Sequence, residues 1–467
     1  MKFLAVCLAG VLAVAAHAID PPIWRGPISG AVTAESAWVK AKLRRVGASA
    51  RLAVSTNVEL KEPLWFGPAT ATDASGAMVD FRVTGLRPDT QYFYGLEVDK
   101  VLHWMQRGAF RTFPPTNAPA SFNFAFGSCA KTGSENPVFD RIRELRPLFF
   151  LHTGDFHYEN ITSNALVKFR MAYDRVLFSS RQSALYRAVP LVYVWDDHDF
   201  AGNNSDRRAP AHFAARRIYE EYMPHYDTPA GERDVPIYQS FAVGRVKFIL
   251  TDLRSERDPV NQPDGPGKSM LGAAQKAWFK NELMAAKGKY PLIVWASSVP
   301  WIGTAGANYY PIRDHVTGFI HQTNAWQFER DPATAEQRRS VFSNADFWGA
   351  YAEERREIAN FLRDQSITGL MILHGDAHSL AADDGTHSDY ATGGGPRIPV
   401  MAGAPVDQDA SIKGGPYSQG VYKPVSGEGC FGYVQVRDSG AKIDVRYSGR
   451  NYLGQEKLSL KFSVPVN

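Results

Sequence analysis

The sequence predicts an α/β protein with a small all-β unit in front of it, and three observations predict this. Residues from about 20 to 115 hold short alternating or β-rich runs separated by turn residues. From about 121 onward, longer apolar runs alternate with amphipathic helical segments, the pattern of strands buried on both faces and covered by helices. Nearly every one of those apolar runs ends in polar groups able to hold a metal or a substrate.

The bulk numbers agree with a folded, water-exposed protein. The 467 residues are enough for two domains with real cores. Hydrophobic content of 44% and charged content of 21% are ordinary for a globular chain. The net charge is +4, and Lys and Arg are scattered, so there is no electrostatic case for nucleic acid or a membrane surface. No run of about 18 apolar residues follows the N-terminus, and no transmembrane helix is expected.

The elements follow in order. Residues 1–18 read as an export signal: Lys2 is the positive end, "FLAVCLAGVLAVAA" is the apolar stretch, and "AHA" (Ala16 to Ala18) is the cleavage site. The mature chain is expected to begin near Ile19, in the periplasm or outside the cell. No twin arginine precedes the apolar stretch, which favours the general secretory route. Residues 19–115 contain "AWVKAKL", "ARLAVST", "MVDFRVTGL", "QYFYGLEVD" and "GAFRTFP" as strands. "GLRPDTQY" has the form of a tyrosine corner, with the Tyr92 hydroxyl bonding backbone upstream. The stretch resembles a fibronectin type III or immunoglobulin-like sandwich. The Pro-rich segment "PPTNAPA" is the boundary, with residues 116–120 as linker and 121–467 as the second unit.

In that second unit "FNFAFGSC", "LFFLHTGD", "LVYVWDDHD", "KFILTD", "LIVWASS" and "LMILHGDAH" read as buried strands. "NPVFDRIREL" reads as a helix capped by Asn136. "LGAAQKAWFKNEL" reads as one with Leu271, Ala274, Trp278 and Leu283 on its buried stripe. Residues 302–350 are rich in aromatics and irregular, and read as an insertion, either plain packing or a lid. The C-terminal residues return to β-hairpin alternation, turning at "DSG".

The six apolar runs finish in Cys129, Asp155, the Asp196–Asp199 cluster, Asp252, Ser297 with Ser298, and Asp376 with His378. In open α/β sheets the carboxyl ends of the strands line the ligand crevice. Carboxylates gathered there cannot all ionise without a counter-charge, and a bound cation supplies it. Each group also has a plain structural reading. "GD" is commonly a turn, Asp196 to Asp199 can cap a helix, and Cys129 can pair with Cys430 in a disulfide.

"GSC", "GDFHY", "WDDHDFAGNNSD", "LGAAQKAW" and "HGDAH", in this order over about residues 20–460, resemble the alkaline phosphatase D (PhoD-type) branch of the calcineurin-like metallophosphatases. The resemblance implies a β-sandwich flanked by helices behind the immunoglobulin-like domain. It implies Cys129 as a thiolate ligand, Asp155 as a bridging ligand and Tyr158 as a phenolate ligand. Asp197 takes a metal-binding position, Asn203 is a further oxygen ligand, and Asp376 and His378 complete the set. Thiolate and phenolate suit Fe(3+); carboxylate and amide oxygens suit Ca(2+). His198, steadied by a neighbouring carboxylate, is the implied general acid, and Arg254 either holds a phosphoryl oxygen or makes a surface ion pair. The implied reaction is in-line attack of a metal-activated hydroxide on a phosphate mono- or diester. A phospholipase D-like diesterase and a binding or adhesion protein with a structural metal are the alternatives. PhoD-type proteins usually carry a twin-arginine signal; its absence here implies metal loading after export.

Overall fold

The computed structural model describes residues 20–303, 312–314, 319–320 and 346–466. The predicted export signal lies outside the described residues, as does most of the stretch 302–350. Eight strands build the first unit: β1 (Ile23–Gly30), β2 (Ala37–Leu43), β3 (Ser49–Ser55), β4 (Leu64–Thr70), β5 (Met78–Val83), β6 (Gln91–Val98), β7 (Val101–Leu102) and β8 (Gly108–Arg111). β4, β3, β6, β7 and β8 form one sheet, and β1, β2 and β5 the facing one. Alternation fills the space between them: Leu52 and Val54 on β3, Val79 and Phe81 on β5, and Tyr94 and Leu96 on β6 belong to one buried core. The tyrosine corner is present, the Tyr92 hydroxyl accepting the Arg87 amide at 2.9 Å.

The sheet formed by β1, β2 and β5 does not stop at the boundary read from the sequence. Gly30 on β1 pairs in parallel with Leu191 on β11 (Leu191–Tyr193), so these three strands extend six strands of the second unit into one nine-stranded sheet. A Cβ at Gly30 would stand 2.4 Å from the Leu191 carbonyl oxygen, so only glycine allows the approach. Buried polar contacts fasten the seam: Lys42 Nζ to Asp174 Oδ2 at 2.7 Å, the Tyr94 hydroxyl to the Arg187 carbonyl at 3.0 Å, and the Tyr226 hydroxyl to the Val32 carbonyl at 2.8 Å.

The second unit places two sheets face to face. β9 (Phe122–Gly127), β10 (Phe150–His152) and β11 run parallel in the first sheet. In the second, β12 (Gln239–Val243) forms a hairpin with β13 (Val246–Leu250), which runs parallel to β14 (Leu292–Ser297). A short pair, β15 (Ile312–Asp314) and β16 (Phe319–Ile320), stands apart. β17 (Leu370–His374), β18 (Leu380–Asp383), β19 (Val400–Gly403) and β20 (Val421–Tyr422) complete the second sheet, with β17 and β19 parallel to β14. β21 (Cys430–Asp438), β22 (Lys442–Asn451) and β23 (Glu456–Pro465) return to the first sheet as an antiparallel edge.

The continuous apolar runs follow from this layering, because each strand of the second sheet feeds two cores. Phe248 and Leu250 on β13, Val294 and Ala296 on β14, and Met371 and Leu373 on β17 face the first sheet. Ile249, Trp295 and Ile372, between them, face the outer helices. Those helices are α6 (Gly272–Ala286) and α7 (Ala352–Asp364). The first sheet is covered by α1 (Val138–Glu144), α2 (Leu166–Phe178), α3 (Ser180–Ala188) and α5 (His212–Tyr222), and the short α4 (Asp197–Phe200) follows β11. Aromatic rings knit the interior, with Phe124 against Phe248 at 5.4 Å edge to face. The buried stripe of α6 runs through Gln275, Phe279, Leu283 and Ala286, one position from the expected Ala274 and Trp278. Gln275 explains the shift: its amide is buried because it bonds both the Asp252 amide and the Asp252 carbonyl.

Of the aromatics assigned to the stretch 302–350 and its flanks, Trp301, Phe347, Trp348 and Tyr351 are buried core residues. The Trp301 ring meets Trp295 and Trp348 at 5.2 and 5.3 Å. Tyr309, Tyr310, Trp326, Phe328 and Phe342 lie outside the described residues.

Candidate metal centre

The parallel strands of both sheets end on one side, and their loops turn sharply there. Cys129 follows β9, Asp155 follows β10, and Asp376 and His378 follow β17. All four have positive φ, at 63°, 57°, 58° and 24°. A non-glycine residue there costs on the order of 1–3 kcal/mol, and such strain gathers at functional sites. Gly154, at φ 104°, lets β10 come close enough: a Cβ would sit 2.3 Å from the Asp196 Cβ.

The tight turns bring the side chains together. Cys129 Sγ lies 3.4 Å from Asp155 Oδ2 and 3.1 Å from Ser128 Oγ. The Tyr158 hydroxyl lies 2.7 Å from Asp155 Oδ2 and 3.0 Å from His378 Nε2. Among the described residues, donor atoms within 4.8 Å of one another form three groups: Cys129, Asp155 and His378; Asp155, Asp197 and His198; Asp155, Asp196 and Asp376. Asp155 belongs to all three, as a bridging ligand would. Asp196 Oδ2 and Asp376 Oδ2 are buried with no hydrogen-bond partner among the described residues, although an unsatisfied buried carboxylate oxygen is costly. A cation at this point satisfies both, so the residues present fit a metal.

Charge tells the same story. Burial, then Asp197 and the other acids around it, pushes Asp155 well above the usual carboxylate range. Burial raises Asp196 to about 8, against the pull of Arg254. Burial and the Asp155 charge push the Cys129 thiol and the Tyr158 phenol up. Asp197 runs the other way: despite burial, Arg254, His198 and Lys413 hold it low. Without a further cation the site keeps protons on groups that a metal would displace.

Several expected residues sit elsewhere in this arrangement. Arg254 is fully buried: its Nε reaches Asp196 Oδ1 at 2.6 Å and its Nη2 reaches Asp346 Oδ2 at 3.0 Å. It is therefore neither a surface ion pair nor a group facing the open crevice; it braces the acids from behind. Asn203 is exposed, and it is the neighbouring Asn204 whose backbone amide donates to Asp197 Oδ2 at 2.6 Å. His198 is held by an amide rather than a carboxylate, its Nδ1 lying 2.6 Å from Asn160 Oδ1. Its ring lies 4.1 Å from that of Tyr158. Asp199 turns away from the centre, its Oδ1 accepting the Asp196 amide at 2.6 Å and its Oδ2 the Tyr193 hydroxyl at 2.5 Å. Asp252 accepts the Trp195 indole at 2.9 Å and serves the frame. Cys129 and Cys430 are both free thiols.

Sequence reading missed one segment. The loop after β19 crosses the site: Val406 and Asp407 donate their amides to the Ser128 and Cys129 carbonyls at 2.9 and 3.1 Å. The Asp409 carbonyl lies 2.6 Å from His378 Nδ1, and Lys413 Nζ reaches Asp376 Oδ1 at 2.5 Å. Its "SIKGG" is an unremarked loop with no motif spacing to mark it.

Residues 124–413, more than half of the chain, match the family model of PhoD-like phosphatases. The chain is 23% identical over 366 residues to alkaline phosphatase D of Bacillus subtilis (strain 168), an alignment spanning 69% of this chain and 57% of that relative's length. In three dimensions it is similar to a solved structure of PhoD, with TM-score 0.74 at 17% identity, covering 96% of this chain and 91% of the other. It is also similar to a purple acid phosphatase from yellow lupin (Lupinus luteus) seeds, with TM-score 0.61 at 13% identity, covering 95% and 74%. With its motifs on the ends of the facing sheets and more than half its length matched, the chain belongs to the PhoD-like phosphatase family.

Proposed function

We propose that the protein is an exported, metal-dependent hydrolase of phosphate mono- or diesters. Metallophosphatase membership implies divalent metal cofactors. The finer assignment proposed here is iron on the side of Cys129, Tyr158 and His378, and calcium on the side of the carboxylates, with Asp155 shared between them. A thiol and a phenol beside one carboxylate support the first, and all-oxygen donors the second. When bound, the metals supply an activated water and positive charge for the phosphoryl oxygens.

The chain's own residues do the rest. Arg254 and Ser298 hold Asp196 Oδ1, at 2.6 and 2.7 Å, so that its other oxygen faces the centre. Asn160 Oδ1 accepts the hydrogen bond from His198 Nδ1–H, so that the protonated imidazolium gives its Nε2 proton to the departing alkoxide and is left as the neutral ring with its hydrogen on Nδ1. Tyr158 supports the imidazole face and keeps the ring from turning. The proposed periplasmic or secreted location rests on residues 1–18. No helix among the described residues is long and apolar enough to cross a membrane.

The observation that carries this reading is Asp155, common to three donor groups, with two orphaned carboxylate oxygens beside it. Nitrophenyl phosphate and bis(nitrophenyl) phosphate, assayed with metal-loaded and chelator-treated protein, test it. Hydrolysis of at least one ester, lost on chelation and restored by metal, is expected. His198→Ala is expected to lower kcat by roughly 10²–10⁴ for poor leaving groups, and much less for nitrophenolate, with metal retained. Metal-loaded protein that cleaves neither ester refutes the reading.

A further inference from the structure

Of the described residues, two cations reach the carboxylates of the centre, and they differ in what they can touch. Arg254 is fully buried and its guanidinium is spent on Asp196 and Asp346. Lys413 is not: its side chain is 31% exposed, against 3% for the Asp376 side chain it contacts. Its Nζ lies 2.5 Å from Asp376 Oδ1, while Asp376 Oδ2 has no hydrogen-bond partner among the described residues; Asp376 shares a donor group with Asp155 and Asp196. The ammonium group therefore stands one carboxylate away from the proposed metals, on the solvent side. Its charge also acts on Asp197, His198 and His378.

An ammonium group has three donors, and Asp376 takes one of them. The segment carrying it is fixed. Asp407 bonds the Cys129 carbonyl, Asp409 faces His378 Nδ1, and the Gly415 amide donates to the Ile302 carbonyl at 3.0 Å. A fixed cation with spare donors at the mouth of an acidic centre is a site for an anionic oxygen. We propose that Lys413 is a substrate-binding residue whose ammonium group takes a non-bridging phosphoryl oxygen. It thereby favours doubly charged phosphomonoesters over singly charged diesters. This deepens the phosphoester reading above and rests on it.

The test uses the full-length, metal-loaded protein with Lys413→Met and Lys413→Arg. Three quantities are measured: affinity for inorganic phosphate by calorimetry, kcat/KM on nitrophenyl phosphate and bis(nitrophenyl) phosphate, and metal content by mass spectrometry. For Lys413→Met, phosphate affinity should fall about tenfold or more and monoester kcat/KM by roughly 10²-fold, the scale of losing one donor to a phosphoryl oxygen. Diester kcat/KM should fall far less, metal content should hold, and Lys413→Arg should recover part of the phosphate affinity. Equal losses on both esters together with lost metal would show that Lys413 only holds Asp376, and would overturn the proposal. An unchanged phosphate affinity and ester ratio, or wild-type protein that binds no phosphate, would overturn it too. Wild-type protein that binds phosphate yet cleaves neither ester refutes the phosphoesterase reading alone; the phosphate affinity of Lys413→Met then decides this one.

Discussion

Replacing Arg254 separates two roles that its position in the sequence leaves open. If it holds substrate phosphate, Arg254→Met weakens substrate binding and spares the fold. The structure gives it the other role. Its guanidinium is fully buried, and it pairs with Asp196 through Nε at 2.6 Å and with Asp346 through Nη1 and Nη2 at 3.2 and 3.0 Å. After the change, Asp346 keeps Arg257, and Asp196 keeps the Ser298 hydroxyl at 2.7 Å. Asp196 is then the exposed weakness, a buried carboxylate with no cation beside it unless metal is bound. Removing one partner of a buried pair costs about 3–5 kcal/mol. With an unfolding entropy of about 2.1 cal/mol/K per residue, a unit of roughly 350–450 residues loses about 1–1.4 °C per kcal/mol, so the melting temperature should fall by about 3–7 °C. The loss should be larger in chelator than with metal, because metal takes over part of the counter-charge. Arg254→Lys, with one charge and no fork, should recover only part of it. Thermal unfolding with and without chelator, beside KM for nitrophenyl phosphate, is the assay. An unchanged melting temperature with a raised KM would refute the brace and restore the phosphate-binding role.

Three further outcomes follow from the geometry. Asn160→Ala should reproduce a weaker form of the His198→Ala leaving-group effect, because the ring loses the partner of Nδ1; equal loss on good and poor leaving groups would remove Asn160 from proton transfer. Lys40 on β2 is buried against the Glu220 and Glu221 carbonyls, and burial lowers it to about 7 from 10.5. Between these values the unfolded chain binds more protons than the folded one, so its penalty is full below pH 7 and is relieved as pH rises toward 10.5. The stability advantage of Lys40→Met over wild type should therefore shrink from pH 7 to pH 10 in urea unfolding, and a gap that widens would contradict this. A chain beginning at Ser121 should be insoluble or markedly less stable, since it loses β1 from the edge of β11 and uncovers Asp174, Arg187 and Tyr226; a soluble, cooperatively melting fragment would mean that the two units fold separately.

Much of the centre was legible because chemistry and periodicity coincide at strand ends. The runs ending in Cys129, Asp155, Asp197 and Asp376 are apolar on both faces, and a strand buried on both faces must deliver its polar residues at its end. The seam between the units was not legible. β1, "IWRGPISG", and β4, "LWFGPAT", carry Gly-Pro in the middle, which interrupts alternation, and β1 is the strand that joins the main sheet. Arg254 gave no sign of burial because its partners lie 58 and 92 residues away. Asn160 and Lys413 were missed for the same reason, and Ser298, visible at its strand end, carried no sign of its role: each acts through a long-range contact that leaves no local spacing. In α6 a buried glutamine, satisfied by the backbone of Asp252, replaced the apolar residue that the helical stripe called for.

The central claim is that the strand ends of two facing sheets hold a metal centre bridged by Asp155 and that this centre hydrolyses phosphoesters. The most direct measurement is metal content by mass spectrometry, taken with nitrophenyl ester hydrolysis, for wild type and Asp155→Asn, each folded and loaded under the same conditions. Asp155→Asn keeps the shape and removes the charge common to all three donor groups. The account predicts that wild type holds more than one metal ion per chain, and that the variant loses metal on both sides of the centre and hydrolysis with it. A folded Asp155→Asn protein with full metal content and undiminished hydrolysis would contradict it.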